Sequence, residues 1–430
     1  MITRTTLFLL LLVSQSVLPA EPLVLANANI IDPSAGEPEF EASIVIEDGK
    51  IMDVGSVDID ALPDGARIVD VTGKYVIPGL IDTHNHLHFG HDDALWEPDR
   101  VLNFLPLWGV TAVFDTAIPM EDFERLRAEE DSARTRARFF SAGRSFGAKD
   151  GWGGTLNGGY TPATEEEARA AVRELASTGV DGVKLVYDDM SVFGQGPWPL
   201  LDPVLMAAII DEAHQHELAA YVHAPMLENA KAALRAGADV LIHGIISDPV
   251  DEEFLALMRD NNAVYAPTHI LYEQGANKPA MSQRYEALDS RSLINRSIYA
   301  SMWDSRRQNP TTGAKLPILR ENLRVIVDTG IPVAMGSDTG VPGVLAGVAS
   351  QMELVLYVET AMQPIDALRA ATSAAAAAIG QQNNLGKVEP GMFADLVILE
   401  ESPLTDIRNI QTIWAVIING EFAVAPFPIQ

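Results

Sequence analysis

The stretch Val76–His86, VIPGLIDTHNH, is an apolar run that ends in two histidines. Pro78 and Gly79 punctuate its start, and the residues that follow are short and apolar, as in a buried strand. Side chains two apart on a strand share a face, so His84 and His86 aim together at the strand's C-terminal end. The same texture recurs downstream. Apolar strands end near Asp115, Ala142, Lys184, His223, His243, Pro267 and Asp338, with helical patterns such as Pro203 to Leu218 and Leu227 to Ala236 between them. With His84 this makes eight strand ends. Eight parallel strands with intervening helices predict an α/β fold, a closed (β/α)8 barrel of TIM type, over residues 78–384.

Outward from the barrel, both chain ends change character. Residues 21–77 alternate β-branched residues between turns, the clearest being Glu47-Asp48-Gly49-Lys50, a hairpin signal. Strand texture returns over 385–430, in GKVEPGMFADLVILEE and IQTIWAVIINGEFAV. The simplest arrangement is a small β-sandwich domain built from both termini, with the barrel inserted between them. The run Ala374–Ala378, stopped by Gly380, reads as a packed final barrel helix. The glycine-rich segment Gly143–Pro162 follows the third strand and is expected over the barrel mouth.

Composition narrows the function. The chain has 430 residues, 47% hydrophobic and 21% charged, which suits a large folded core. It has 0 cysteines, so neither a disulfide nor a lipid-modified cysteine contributes. A net charge of -29 disfavours nucleic acid and anionic lipid as partners. Residues 1–20 read as an export signal: Arg4, then the apolar run Thr5–Val13, then small residues. Cleavage after Ala20 fits best, with Ser14-Gln15-Ser16 the second choice. The mature chain is then expected to be periplasmic or secreted and free of the membrane, since no other run approaches membrane-spanning length. A homo-oligomer, most simply a dimer, is the ordinary expectation.

The chemistry sits at the strand ends. His84 and His86 close the first strand, Lys184 the fourth (VDGVKLVYDD), His223 the fifth (AAYVHAP), His243 the sixth (DVLIHG) and Asp338 the eighth (IPVAMGSDTG). Imidazole is the commonest neutral metal ligand. Aspartate and lysine are almost never fully buried unless paired. Six such groups, each ending an apolar run, point jointly to a metal site. Histidine-rich ligation makes zinc the default, with iron, manganese and cobalt as alternatives.

These pieces, with the closing LGKVEPGMFADLVIL, resemble the amidohydrolase superfamily over nearly the whole mature chain. The likeness is to its imidazolonepropionase-like and Xaa-Pro-dipeptidase-like branch. That resemblance implies cleavage of a C–N amide bond in a dipeptide, an N-acyl amino acid or a cyclic amide. It also implies two divalent metal ions. His84 and His86 would bind one ion with Asp338, His223 and His243 the other, and Lys184 would bridge both as a carbamate formed with carbon dioxide. Two ions about 3.5–4 Å apart would acidify a bridging water, giving a hydroxide to attack the carbonyl. Asp338 would take the hydroxide's proton and return it to the leaving amine.

Lesser candidates surround this set. Tyr187, Tyr160, His269 and His88 are candidate substrate contacts; for His88 and His91 the loop polar reading comes first, and His269 reads equally as a structural group. His214 and His216 lie two apart on a helix and do not face together, which suits solvent exposure. Family members often carry a histidine in the glycine-rich loop, whereas this loop ends Gly158-Gly159-Tyr160, so its substrate preference is expected to differ. Two other functions share the residues: a lactonase or phosphotriesterase on the same barrel, and a non-catalytic binding protein that kept the scaffold.

Overall fold

The computed structural model describes residues 21–35, 38–56, 65–87, 97–129, 134–155, 158–289, 291–293 and 309–426. The export signal at 1–20, His88 and His91 lie outside the described residues. Five strands open the chain: β1 (Leu23–Ile30), β2 (Glu39–Glu47), β3 (Lys50–Gly55), β4 (Arg67–Asp70) and β5 (Tyr75–Pro78). Seven follow in the middle: β6 (Leu80–Asn85), β7 (Val110–Asp115), β8 (Arg138–Ser141), β9 (Gly182–Val186), β10 (Ala219–His223), β11 (Val240–Ile242) and β12 (Val264–Ala266). Three close it: β13 (Leu396–Leu399), β14 (Ile413–Ile418) and β15 (Glu421–Val424).

The terminal strands join in one sheet, ordered β15-β14-β13-β5-β1-β2-β3, with β4 beside β1. The seam is antiparallel, Pro78 of β5 facing Leu396 of β13. Leu25, Ile44, Val76, Leu396 and Ile417 pack in its core, so each end of the chain covers apolar surface of the other. Asp48 and Gly49 both take positive φ, +48° and +79°, the backbone a two-residue hairpin needs between β2 and β3.

In the barrel, β6-β7-β8 and β9-β10-β11-β12 form two parallel ladders. The strand ends expected from sequence match these elements within two residues. Short seams carry the ring further. Phe146 bridges Leu185 of β9, and residues 332–339 lie between β12 and β6, with Tyr265 against Val333 and Asn85 against Thr339. That eighth segment is not a regular strand, for a local reason. The Ser337 amide donates to the Asp82 carboxylate at 2.9 Å, and Asp338 takes φ +63°. Gly336 is required there, because a Cβ would lie 2.9 Å from His84 Cβ.

Phe114 and Tyr221 stack at 4.3 Å inside the barrel, and the Tyr221 hydroxyl donates to Ala378 O. The alanine run forms helix Ser373–Ala378, with Ala375, Ala376 and Ala378 buried in the same core. The lower barrel is therefore filled, and open space is left to the strand C-terminal ends. Helix Pro203–Gln215 starts on Asp202, which accepts from Val204 N at 2.8 Å.

Candidate metal centre and active site

Chain direction decides where the polar groups go. Each parallel strand delivers its last residues to one end of the barrel, and the structure brings six of them to one cavity. His84, His86, Lys184, His223, His243 and Asp338 all line a space of about 520 Å³. His84 Nε2 and His86 Nε2 lie 3.0 and 3.2 Å from Asp338 Oδ1. The ring centroids of His84 and His243 are 5.0 Å apart, and those of His223 and His243 are 4.2 Å apart. His243 and Asp338 hold φ of +75° and +63°, conformations that L-residues adopt at a cost and that cluster at functional sites.

The donor set suits a divalent cation. One ligand atom from each of His84, His243 and Asp338 lies within 4.8 Å of the others. Both ring nitrogens of His84, Asp338 Oδ1 and Lys184 Nζ are buried with no hydrogen-bond partner among the described residues. The His84–Asp338 contact meets the distance of a hydrogen bond but not its alignment. Buried polar atoms are ordinarily satisfied, and these orphans belong to three residues that line one cavity, which suits a bound cation. Protonation supports the same fit. Burial, then the Lys184 charge, pushes His84 down to about 3, which keeps its imidazole neutral and able to ligate. Burial and then His223 hold His243 well below the ordinary range. Burial brings Lys184 down to about 7, against the opposing pull of Asp338.

Neighbouring groups fix the ligand rings. Asp188 Oδ2 lies 3.0 Å from His223 Nε2, and its Oδ1 accepts from Met190 N at 2.9 Å. Thr268 Oγ1 is 2.8 Å from His243 Nδ1. Asp115 accepts from Leu87 N and Ala117 N at 2.6 and 2.9 Å, tying down the chain beyond His86. The sequence reading assigned none of these three a role. Asp188 stands inside VYDD, four residues after Lys184 and beyond the strand's end, where no periodicity assigns a direction.

Three expected substrate contacts do not reach the cavity wall. Strand alternation puts Lys184 and Val186 on the cavity side, and Tyr187, one residue past β9, turns into the core between barrel and helices. Tyr160 stacks on Phe146 at 5.0 Å, and its hydroxyl donates to Glu174. His269 begins helix His269–Ala276 and is fully buried, with its ring 3.6 Å from Glu273. The glycine-rich segment does contribute, through Ser145, Trp152 and Gly153. His214 is half exposed and pairs with Asp239, away from the cavity.

Comparisons with known proteins agree with this fold. Residues 75–423 match the sequence model of the amidohydrolase family. Ochratoxinase of Aspergillus niger is 27% identical over 458 aligned positions, covering 92% of this chain and 86% of that protein. Imidazolonepropionase of Porphyromonas gingivalis is 24% identical over 384 positions, covering 84% of each. A solved Xaa-Pro dipeptidase, with methionine bound in its active site, superposes with a TM-score of 0.77 at 23% identity. That superposition spans 94% of this chain and 99% of the dipeptidase, and it speaks to the fold.

Proposed function

This chain belongs to the amidohydrolase family, and from that premise we propose that it is a metal-dependent hydrolase of C–N amide bonds. His84, His86, Lys184, His223, His243 and Asp338 would hold a pair of divalent ions, zinc in the first instance. The observation that carries this reading is the unpartnered, buried Lys184 Nζ among four histidines and an aspartate.

An ammonium at that place would repel cations. With its pKa brought down to about 7, Lys184 is substantially a free amine at neutral pH. The amine nitrogen can add to the carbon of carbon dioxide, forming an N–C bond and releasing a proton. The product is an anion with two oxygens, the form in which a lysine can join this ligand set. Divalent ions held there supply Lewis acidity, which polarises a carbonyl and makes water available as a nucleophile near neutral pH. Asp338 sits within reach of His84 and His86, where its carboxylate can accept the proton of the attacking water. It then donates that proton to the departing nitrogen, which leaves poorly as an anion. Asp188 holds the His223 ring in one orientation, and Thr268 does the same for His243.

The test strips the purified protein with a chelator and reloads it with zinc. The stripped and reloaded forms are then assayed on amides, a lactone and a phosphotriester. Amide hydrolysis lost on stripping and regained on reloading is expected. Equal activity in both forms, or turnover of the lactone or phosphotriester alone, would overturn the reading.

A further inference from the structure

Helix Val348–Thr360 carries a stripe of polar side chains in the protein interior. Ser350, Glu353 and Tyr357 are spaced three and four residues apart, share one face and are fully buried. Burying a hydroxyl, a carboxyl and a phenol costs free energy unless each finds a partner. Here each partner lies beside a residue of the candidate metal centre.

Ser350 Oγ donates to Asp82 Oδ2 at 2.7 Å. The other oxygen of Asp82 accepts from His84 N at 3.3 Å and from Ser337 N, next to Asp338, at 2.9 Å. Glu353 accepts from His269 N and Ile270 N, both at 2.6 Å. Those amides directly follow Thr268, whose Oγ1 lies 2.8 Å from His243 Nδ1. Tyr357 donates to Ala334 O at 3.3 Å, on the segment that leads into Asp338.

The three destinations coincide with one cluster. His84, His243 and Asp338 are the residues whose ligand atoms lie within 4.8 Å of one another. Backbone strain gathers at the same places, with φ of +75° at His243, +63° at Asp338 and +45° at Thr268. A β-branched threonine holds such a conformation only where its surroundings fix it. Glu353 is part of that fixture, since its two oxygens grip the amides that follow Thr268. The ligands come from segments far apart in the sequence, so a single helix bonded to all three segments sets their mutual distances.

We propose that Ser350, Glu353 and Tyr357 are positioning residues of the metal centre, which hold from one helix the backbone beside His84, His243 and Asp338. This rests on the metal-dependent reading above. None of the three lines the cavity, so each acts through another residue.

The test strips the purified protein with a chelator and reloads it with cobalt(II), whose visible absorption reports the number and angles of its ligands. Ser350→Ala, Glu353→Gln and Tyr357→Phe are compared with the wild type, and Gln351→Met is the control. Gln351 is buried on the same helix but donates to Trp108 O and Ile410 O, away from the cavity. Melting of the stripped proteins reads stability separately. Altered cobalt bands and about 10-fold weaker cobalt binding are expected in Ser350→Ala and Glu353→Gln, with a smaller change of the same kind in Tyr357→Phe. Gln351→Met should melt lower while its bands and affinity stay at wild-type values. Should Glu353→Gln not fold, the two hydroxyl deletions decide. Variants that melt lower yet keep wild-type bands and affinity overturn the proposal, as does an equal spectral change in Gln351→Met. A wild type that binds no cobalt overturns the metal-dependent reading and the proposal together, so the two failures are distinct.

Discussion

Replacing Asp188 with alanine should weaken metal binding without touching a ligand. Its side chain is fully buried and does two things at once: Oδ2 meets His223 Nε2 at 3.0 Å, and Oδ1 accepts from Met190 N at 2.9 Å. The first contact fixes which way the His223 ring faces and raises its basicity. Loss of such an outer partner typically lowers metal affinity about 10–100-fold. The second loss strands a buried amide, costing about 1–3 kcal/mol of stability. Asp188→Asn separates the effects, because it keeps an acceptor for Met190 N while deleting the charge. It should be nearly as stable as the wild type, with an intermediate affinity. Competition against a chelator of known affinity reads the metal term, and thermal melts of the stripped protein read the stability term. His214→Ala is the control, since that ring is half exposed and paired with Asp239 outside the cavity. Wild-type metal affinity in Asp188→Ala would refute the reasoning.

Other outcomes follow from the same structure. Lys184→Ala should lose metal content and activity together, with partial rescue by acetate or another small carboxylate; full activity in the variant would point to a one-metal site. Gly153→Ala should lower kcat/KM and the melting temperature, because Gly153 has φ +72° and a Cβ would lie 2.2 Å from Val186 Cγ2 on the cavity wall; unchanged values in both assays would show that the loop yields freely. Glu353 supplies a pH dependence. Burial raises its carboxyl from the ordinary 4.5 to about 8, although His269 N and Ile270 N both donate to it. The folded state therefore holds this proton where the unfolded chain has released it, and stability falls as pH rises from 4.5 towards 8. The loss is on the order of 3 kcal/mol by pH 7. Melting temperatures of wild type and Glu353→Gln, compared between pH 5 and 8, should diverge with rising pH, the wild type falling faster; parallel curves would contradict this.

Much of the fold is legible in the sequence because one signal repeats. An apolar run broken by a polar residue marks the end of a buried parallel strand, and β6, β7, β9 and β10 end within two residues of that break. The hairpin at Asp48-Gly49 was readable from the φ values its residues tolerate. The eighth barrel segment shows where pattern fails. Its residues look like a strand, yet the Asp82 carboxylate captures the Ser337 amide and Asp338 turns left-handed, neither of which a hydrophobic pattern encodes. Candidate contacts in loops were harder still. Tyr187 lies one residue past β9, and its packing into the core between barrel and helices, not its spacing from Lys184, takes it away from the cavity. His269 and Tyr160 are set by tertiary neighbours, Glu353, which accepts from the His269 amide, for one and Phe146 with Glu174 for the other. Asp188 and Thr268 lie beyond strand ends, where direction depends on how each loop turns.

The central claim is that side chains far apart in the sequence meet at one end of the barrel to hold cations. The most direct test is anomalous diffraction from a crystal of the purified protein, at the absorption edge of whichever metal its X-ray fluorescence reveals. The account predicts two anomalous peaks, one beside His84, His86 and Asp338 and one beside His223 and His243, with Lys184 reaching both. A metal-replete crystal with no peak within bonding reach of those residues would contradict it.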